Sequence, residues 1–461
     1  MFIGREKELN KLESLYQKSS FEFLIMYGRR RIGKTELLKE FAKDKNVLFY
    51  SAVEKKSNLD DFASTTLRHF KENANMTFKR WEDIFRYIYD HAKSKEVIII
   101  DEFPYIAKME PSVKSILQNT IDHLWKEKNI LLILCGSSVS FMVNEIMGEK
   151  SPLYGRNTAI MEILPFEFNV ARKFLPSYSI EDQMIAYCVL GGVPYYLEKF
   201  VSSLSLKENI AYAIVDANAA LKEEPIILLK AELREPATYN SILEAIARGA
   251  NKMSEIADKA SMKQTDIPMY LNALMEMRLI KRVTPCGEKA TSRKSQYIIS
   301  DNFFSFWYRF IFARTTKIDL MDPLDYVNSI EEELKDYAGR KFEGICYQYL
   351  RFLAKNKKLP FIPSSLGKWW GTDPTSKKPD DIDILGIDKN KYIFSECKFK
   401  NELFDVGEYN DLLHYCTYFK NVSEAYFYAF VKKGFTDGVK KEARKKNCTL
   451  LTIEDMMKDW N

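Results

Sequence analysis

The feature that most constrains this chain is the run Gly28-Arg29-Arg30-Arg31-Ile32-Gly33-Lys34-Thr35, which satisfies GxxxxGK[ST] at every fixed position. It follows a mostly apolar segment, Phe21 to Tyr27, and precedes a helical pattern, Thr35 to Phe41. In a strand, glycine loop and helix arranged this way, backbone N–H groups curl around phosphate oxygens and the helix turns its positive end toward them. Lys34 then reaches the β- and γ-phosphates, and the Thr35 hydroxyl is a ligand for Mg²⁺. The expected cofactors are ATP and Mg²⁺. The bland alternative is a chance match in a strand–turn–helix unit, and the flanking segments weigh against it.

A second segment supplies the complement. Val97 to Ile100 reads as a central strand ending at Asp101 and Glu102. Asp101 is placed to hold Mg²⁺ and Glu102 to orient or deprotonate an attacking water. Leu131 to Cys135 leads into Gly136-Ser137-Ser138, where Ser137 can sense the γ-phosphate, although Gly-Ser-Ser is also an ordinary turn. With Asn46 to Ser51 and Ala159 to Leu164, the short apolar runs make five strands separated by helical patterns such as Val113 to Trp125. Runs without polar alternation are buried on both faces, which predicts a parallel, doubly wound α/β sheet.

Composition excludes several classes. The seven cysteines are scattered singly with no CxxC pair, and there are only four histidines, so neither a zinc ribbon, a disulfide framework nor a histidine-built metal site is suggested. Such cysteines fit a reducing cytosol. The N-terminal segment is charged from Arg5 and has no apolar core, and no apolar run approaches the ~20 residues of a spanning helix, so a cytoplasmic protein with no membrane partner is expected. A net charge of +5 over 461 residues allows a nucleic-acid partner without demanding one.

After Pro165 the pattern turns helical, with Ile180 to Leu190 and Asn209 to Leu221 as a small helical subdomain. Three helices, Asn240 to Arg248, Met253 to Ala260 and Gln264 to Met277, precede a basic turn-containing stretch, Arg278 to Ile299, which is the order of a winged helix. Gln264 to Met277 would be its recognition helix, and Lys281, Arg282, Lys289, Arg293 and Lys294 would make its wing basic enough for phosphate contacts. The same fold also serves as a rigid spacer or protein-docking module. The segment Phe303 to Phe310 shows no alternation and reads as a buried helix.

The C-terminal part carries a second constellation. Pro379 to Ile387 and Tyr392 to Lys398 read as a hairpin around the turn Asp388-Lys389-Asn390-Lys391. If Ile387 faces Tyr392, Asp383 lies opposite Glu396, with Cβ atoms ~5 Å apart on one face, and Lys398 shares that face. Two opposed carboxylates repel unless a cation sits between them. Mg²⁺ suits their hard oxygens, and a neighbouring lysine can activate water for attack on phosphorus. The bland alternative is a charged hairpin on a solvated sheet face.

These motifs carry a family resemblance. Phe2-Ile3-Gly4-Arg5-Glu6, the glycine loop, Asp101 to Tyr105, Gly136 to Ser138, Leu153 to Arg156 and Gly191 to Tyr196 together resemble archaeal and prokaryotic ATPases of the STAND class, relatives of AAA+ ATPases. The resemblance implies that Phe2 to Arg5 line the adenine side, that Pro194 packs near the base and that Arg156 is directed at the phosphates. Asp383, Glu396 and Lys398 resemble the PD-(D/E)XK nuclease motif, and Glu343, in a predicted helix from Leu334 to Leu353, matches the helix glutamate of that superfamily. Gly367 to Gly371 fits the same resemblance. The implied organisation is a P-loop ATPase core at 1–165, a helical lid at 166–235, a winged helix at 236–310, a connector at 311–330 and an α/β nuclease-like domain at 331–461. Expected partners are ATP and either DNA or RNA, or a protein partner or second copy. The leading expectation is an ATP-driven switch controlling a metal-dependent nuclease or DNA-binding domain. The alternatives are a signalling or scaffold ATPase whose C-terminal domain docks a protein without cutting, and a regulatory ATP-binding switch with slow turnover.

Overall fold

The computed structural model describes residues 2–55, 58–71 and 76–460. The chain divides into two compact units, Met1–Pro165 with Val193–Tyr195, and Phe166–Gly192 with Tyr196–Asn461.

The first unit is built on a five-stranded sheet of β1 (Glu22–Tyr27), β2 (Val47–Ser51), β3 (Glu96–Asp101), β4 (Ile130–Gly136) and β5 (Ala159–Glu162), in the order β2-β3-β4-β1-β5. Every neighbouring pair is parallel. Every residue of β3 and β4 is buried, as their unbroken apolar runs require. Each central isoleucine, Ile98, Ile99 and Ile100, contributes about 1.5–3 kcal/mol by leaving water. Because the strands are parallel, their C-terminal ends share one edge of the sheet. The residues at the ends of β1, β4 and β3 are therefore neighbours there, and the pairing of Tyr27 with Gly136 fixes the alignment. All five expected strands form. The helix expected from Val113 to Trp125 stops at His123, and a 3₁₀ turn follows at Trp125–Glu127.

In the second unit the helix Ile180–Leu190 starts at Ser179, whose side chain accepts the Asp182 N–H. The helix expected from Asn209 to Leu221 instead begins at Leu206. Ser205 and Glu208 form a reciprocal cap there, and the segment ends at Val215 because Asp216 turns to an extended backbone. Helices Pro236–Ala247, Met253–Lys259 and Ile267–Glu276 precede an antiparallel hairpin of β6 (Ile280–Val283) and β7 (Gln296–Ile299). The aromatic run forms the helix Asn302–Phe310, with Phe303, Phe304, Phe306, Trp307, Tyr308 and Phe310 all buried.

The long helix Glu331–Lys355 lies in the same unit as a mixed sheet of β8 (Ser365–Thr372), β9 (Pro379–Asp388), β10 (Lys391–Lys398), β11 (Glu424–Val431) and β12 (Cys448–Thr452), ordered β12-β11-β10-β9-β8. The pairs β8–β9 and β9–β10 are antiparallel, and β10–β11 and β11–β12 are parallel. Ile387 does face Tyr392 and Ile384 faces Ser395, where the β9–β10 ladder ends, one residue short of Asp383 and Glu396. Ile382, Leu385, Phe394, Phe427 and Leu412 form the apolar core under this sheet. Among the described residues no helix is long and apolar enough to cross a membrane.

Candidate functional site

Gly28 leaves β1 against β5, and a Cβ there would stand 2.4 Å from the Ile163 carbonyl oxygen, so only glycine fits. Lys34 opens the following helix with its side chain buried, and its ammonium donates to the Gly28 and Arg29 carbonyls at 2.7 and 3.1 Å. The Thr35 hydroxyl donates to Asp101 Oδ2 at 2.7 Å, which joins the loop to the end of β3. Asp101 is 2 % exposed, and its other oxygen accepts the Glu102 N–H at 3.0 Å.

Glu102 has φ 53° and ψ 39°, a left-handed backbone unusual for glutamate and costing on the order of 1 kcal/mol or more. That geometry aims its carboxylate across to β4, where Oε2 accepts the Ser137 hydroxyl at 2.8 Å and the Ser137 N–H at 3.1 Å. Ser137, expected to sense a γ-phosphate, is thus the hydrogen-bond partner of Glu102. Burial, with Asp101 beside it, pushes the Cys135 thiol well up.

Arg5 is a buried brace. Its guanidinium donates to the Ile32 carbonyl at 3.1 Å and the Leu164 carbonyl at 2.8 Å, tying the N-terminal segment to the glycine loop, while Phe2 is partly exposed. Pro194 lies beside Gly33, and Arg31 sits over the Tyr195 ring at 4.2 Å. Arg30 donates to the Tyr105 hydroxyl at 3.2 Å.

Arg156 is a correction. It holds Asp122 with two bonds, at 2.9 Å from Nε and 2.7 Å from Nη2, and donates to the Pro152 and Tyr154 carbonyls. It precedes β5, and the parallel pairing of Leu24 with Ala159 places it where β1 begins, whereas the glycine loop follows where β1 ends. The strand between them spans on the order of 10 Å. Arg156→Ala is therefore expected to leave ATP affinity unchanged and to cost about 1 kcal/mol or less of stability. Isothermal titration of ATP checks this, and an affinity loss of about tenfold or more, ~1.4 kcal/mol, would return Arg156 to the phosphates.

In the C-terminal sheet, Asp383 Oδ2 accepts the Cys397 N–H at 2.8 Å. Glu396 pairs with the Lys398 ammonium at 2.5 Å and accepts the Tyr415 hydroxyl at 2.7 Å. Glu343, on the long helix, pairs with Lys368 of β8 at 2.8 Å. Burial and the facing Glu343 carboxylate push Asp383 up to about 7. Burial and Asp383 raise Glu396, and burial raises Glu343 against the pull of Lys368. Three carboxylates thus feel one another across one patch, and their hard oxygens suit Mg²⁺. Among the described residues no three carboxylate, histidine or cysteine side chains already surround one point, because Glu396 is turned to Lys398 and Tyr415 and Glu343 to Lys368.

The patch opens on a cavity of about 430 Å³ lined mainly by carboxylates, among them Asp373, Asp380, Asp381 and Asp411. A polyanion entering such a cavity is repelled unless divalent cations come with it. Sequence reasoning missed Lys368, Tyr415 and Tyr418, the last bonded to Asp380. Lys368 stands in the Gly367 to Gly371 segment, and its charge immediately before Trp369 and Trp370 was the signal.

In the basic hairpin loop some of the expected phosphate-contact residues bond within the chain and others stand exposed. Arg282 donates to the Ser295 hydroxyl, and Lys294 pairs with Glu288. Cys286 is buried in the core of the C-terminal sheet. Lys289 and Arg293 stand exposed. With Arg293 exposed and Lys294 in a surface pair, replacing both by alanine is expected to flatten the salt dependence of any DNA binding through this loop. Fluorescence anisotropy across a salt series measures the slope, and an unchanged slope would move the contacts away from this loop.

Comparison with known proteins places these sites in context. Residues 2–200 match the ATPase domain found predominantly in Archaea, and residues 307–410 match a family of archaeal and bacterial proteins of unknown function. An uncharacterized protein of Methanocaldococcus jannaschii is 35% identical over 410 residues, covering 87% of this chain and 88% of that one. An uncharacterized ATP-binding protein of the same organism is 22% identical over 353 residues, covering 65% of this chain and 94% of that one. Among solved structures, a Walker-type ATPase of Pyrococcus abyssi superposes with a TM-score of 0.50 at 21% identity, covering 67% of this chain and 96% of that one, a likeness of fold alone.

Proposed function

The chain belongs to an archaeal family of ATP-binding P-loop ATPases, and from that footing we propose that it hydrolyses ATP to switch a C-terminal, metal-dependent nuclease site. The observation that carries the ATPase half is the 2.7 Å bond from Thr35 to Asp101, which brings the two expected Mg²⁺ ligands together. Lys34 neutralises the β- and γ-phosphates, and Glu102 orients the attacking water once it leaves Ser137. Mg²⁺ held by Thr35 and Asp101 would supply positive charge to the phosphates. Gly28 to Thr35 cradle the phosphates, while Arg5 braces the loop and Phe2 and Pro194 flank the base. The finer STAND-class reading is supported by the Gly136-Ser137-Ser138 and Gly191 to Tyr196 segments.

In the second unit we read 166–235 as a lid, 236–310 as a winged helix, 311–330 as a connector and 331–461 as the nuclease-like domain. Asp383, Glu396 and Glu343 would hold a divalent ion that stabilises charge on a scissile phosphate, and Lys398 would position the water. The reading is supported by Asp383 and Glu396 each standing next to the last β9–β10 pair, Ile384 with Ser395, and by the hard-oxygen donor set. The carboxylate-lined cavity favours a second reading, in which the same pocket docks a basic segment of a protein partner and cuts nothing. Labelled DNA and RNA incubated with the protein and Mg²⁺ or Mn²⁺, with and without ATP, separate the two: cleavage that depends on the metal supports the nuclease, and its absence under every condition supports docking.

A further inference from the structure

The bulge between β8 and β9 brings a cation into the carboxylate patch from within the protein. Gly367 pairs with Leu385 and Trp369 with Ile382, so one residue of β8, Lys368, stands opposite two of β9, Asp383 and Ile384. A bulge of this kind bends the strand and re-aims its side chains. Here it sets the Lys368 ammonium 2.8 Å from Glu343 Oε2, 2.8 Å from Asp381 Oδ2 and 3.7 Å from Asp383 Oδ1. Lys398 meanwhile holds Glu396. Each of the three carboxylates read as metal ligands is therefore faced by an ammonium.

Lys368 is fixed from the other side of its strand. β8 is the outer strand of the sheet, and an outer strand presents unpaired backbone groups. The β6–β7 loop, residues 284–295, covers that edge at the bulge. The Cys286 N–H donates to the Lys368 carbonyl at 2.8 Å, the Cys286 thiol donates to the Leu385 carbonyl at 3.1 Å, and the Gly287 N–H donates to the Ser365 hydroxyl at 3.2 Å. At the far end of the loop the Trp370 indole donates to the Lys294 carbonyl at 3.2 Å. Gly287 has φ 84°, and a Cβ there would lie 3.0 Å from Ile387 Cδ1, so any other residue at this position strains the seated loop.

We propose that Lys368 is a built-in counter-ion that a divalent metal must displace from Glu343 and Asp383, and that the 284–295 loop straps it in place. The inference rests on the reading of Asp383, Glu396 and Glu343 as a metal site. It gives the β6–β7 hairpin a regulatory part: whatever lifts the loop from β8 frees the carboxylates for metal.

The test is titration of the full-length, nucleotide-free protein with Mn²⁺, free Mn²⁺ being read by electron paramagnetic resonance. Lys368→Gln should bind Mn²⁺ on the order of tenfold more tightly than the wild type. Gly287→Val, which unseats the strap without touching a carboxylate, should tighten binding in the same direction by a smaller factor. Asp383→Asn should remove the binding in every background, which assigns it to this site. Wild-type binding that is unchanged or weaker in Lys368→Gln overturns the counter-ion while leaving the metal site standing. Tightening in Lys368→Gln with none in Gly287→Val overturns the strap. Absence of Mn²⁺ binding from the wild type and from both variants overturns the metal site and this inference together.

Discussion

Lys34→Ala is expected to abolish tight ATP binding, whereas Glu102→Gln is expected to keep it and to slow hydrolysis by on the order of 10²–10⁴-fold. The two differ because of where their groups point. The Lys34 ammonium is buried and bonded only to the carbonyls of its own loop among the contacts described, at Gly28 and Arg29, so its charge is already held where phosphates would lie. Its removal deletes the buried cation that opens the helix after the loop. Glu102 instead bonds Ser137 through one oxygen. A glutamine carbonyl can accept the same two bonds, so the left-handed turn at 102 and the loop geometry survive while the charge that orients water is lost. Calorimetry with ATP and a phosphate-release assay measure the two effects separately. Turnover by Glu102→Gln at the wild-type rate would remove Glu102 from the chemistry, and tight binding by Lys34→Ala would remove the loop from the nucleotide site.

What was legible in the sequence follows from local physics. β3 and β4 announce themselves because strands buried on both faces admit no polar interruption, and Asp101 is recognisable because it breaks such a run beside a glycine loop. The register of β9 and β10 was equally readable: the paired residues Asp388 and Lys391 leave a two-residue loop, Lys389 with φ 55° and Asn390, that admits few alignments. Arg156 was misplaced because a motif gives no position along a strand, and only the pairing of Leu24 with Ala159 shows which end of the sheet it occupies. β8 was hidden because Gly-Lys-Trp-Trp-Gly has no alternation, being partly buried along nearly its whole length rather than on one face. The strap over its edge depends on a thiol and backbone N–H groups far away in the chain, which no spacing rule connects. The alignment of Lys368 with Asp383 depends in turn on a bulge, a one-residue irregularity that composition does not encode.

Lys398→Ala and Glu396→Gln should part company in the same way at the other end of the chain. The Lys398 ammonium lies 2.5 Å from Glu396 and is about one-third exposed, and its removal takes a positive charge from beside the carboxylates. Divalent metal should then bind at least as well as in the wild type, while metal-dependent cleavage of DNA or RNA falls by on the order of 10²–10⁴-fold, because the group that positions the water is gone. Glu396→Gln removes a hard anionic donor and leaves Lys398 without its partner, so metal affinity itself should drop by about 10–100-fold and cleavage with it. Mn²⁺ titration beside a nuclease assay on the same preparations distinguishes the roles. If Lys398→Ala lost metal as severely as Glu396→Gln, the lysine would be a structural partner of Glu396 and not a group acting on water. If Lys398→Ala cleaved at the wild-type rate, the cutting would not come from this patch. If both variants bound metal as expected and the wild type cut nothing, the acidic cavity around Asp373, Asp380 and Asp411 would be left to the second reading, as a seat for a basic segment of a partner protein in which the metal sets charge and shape alone.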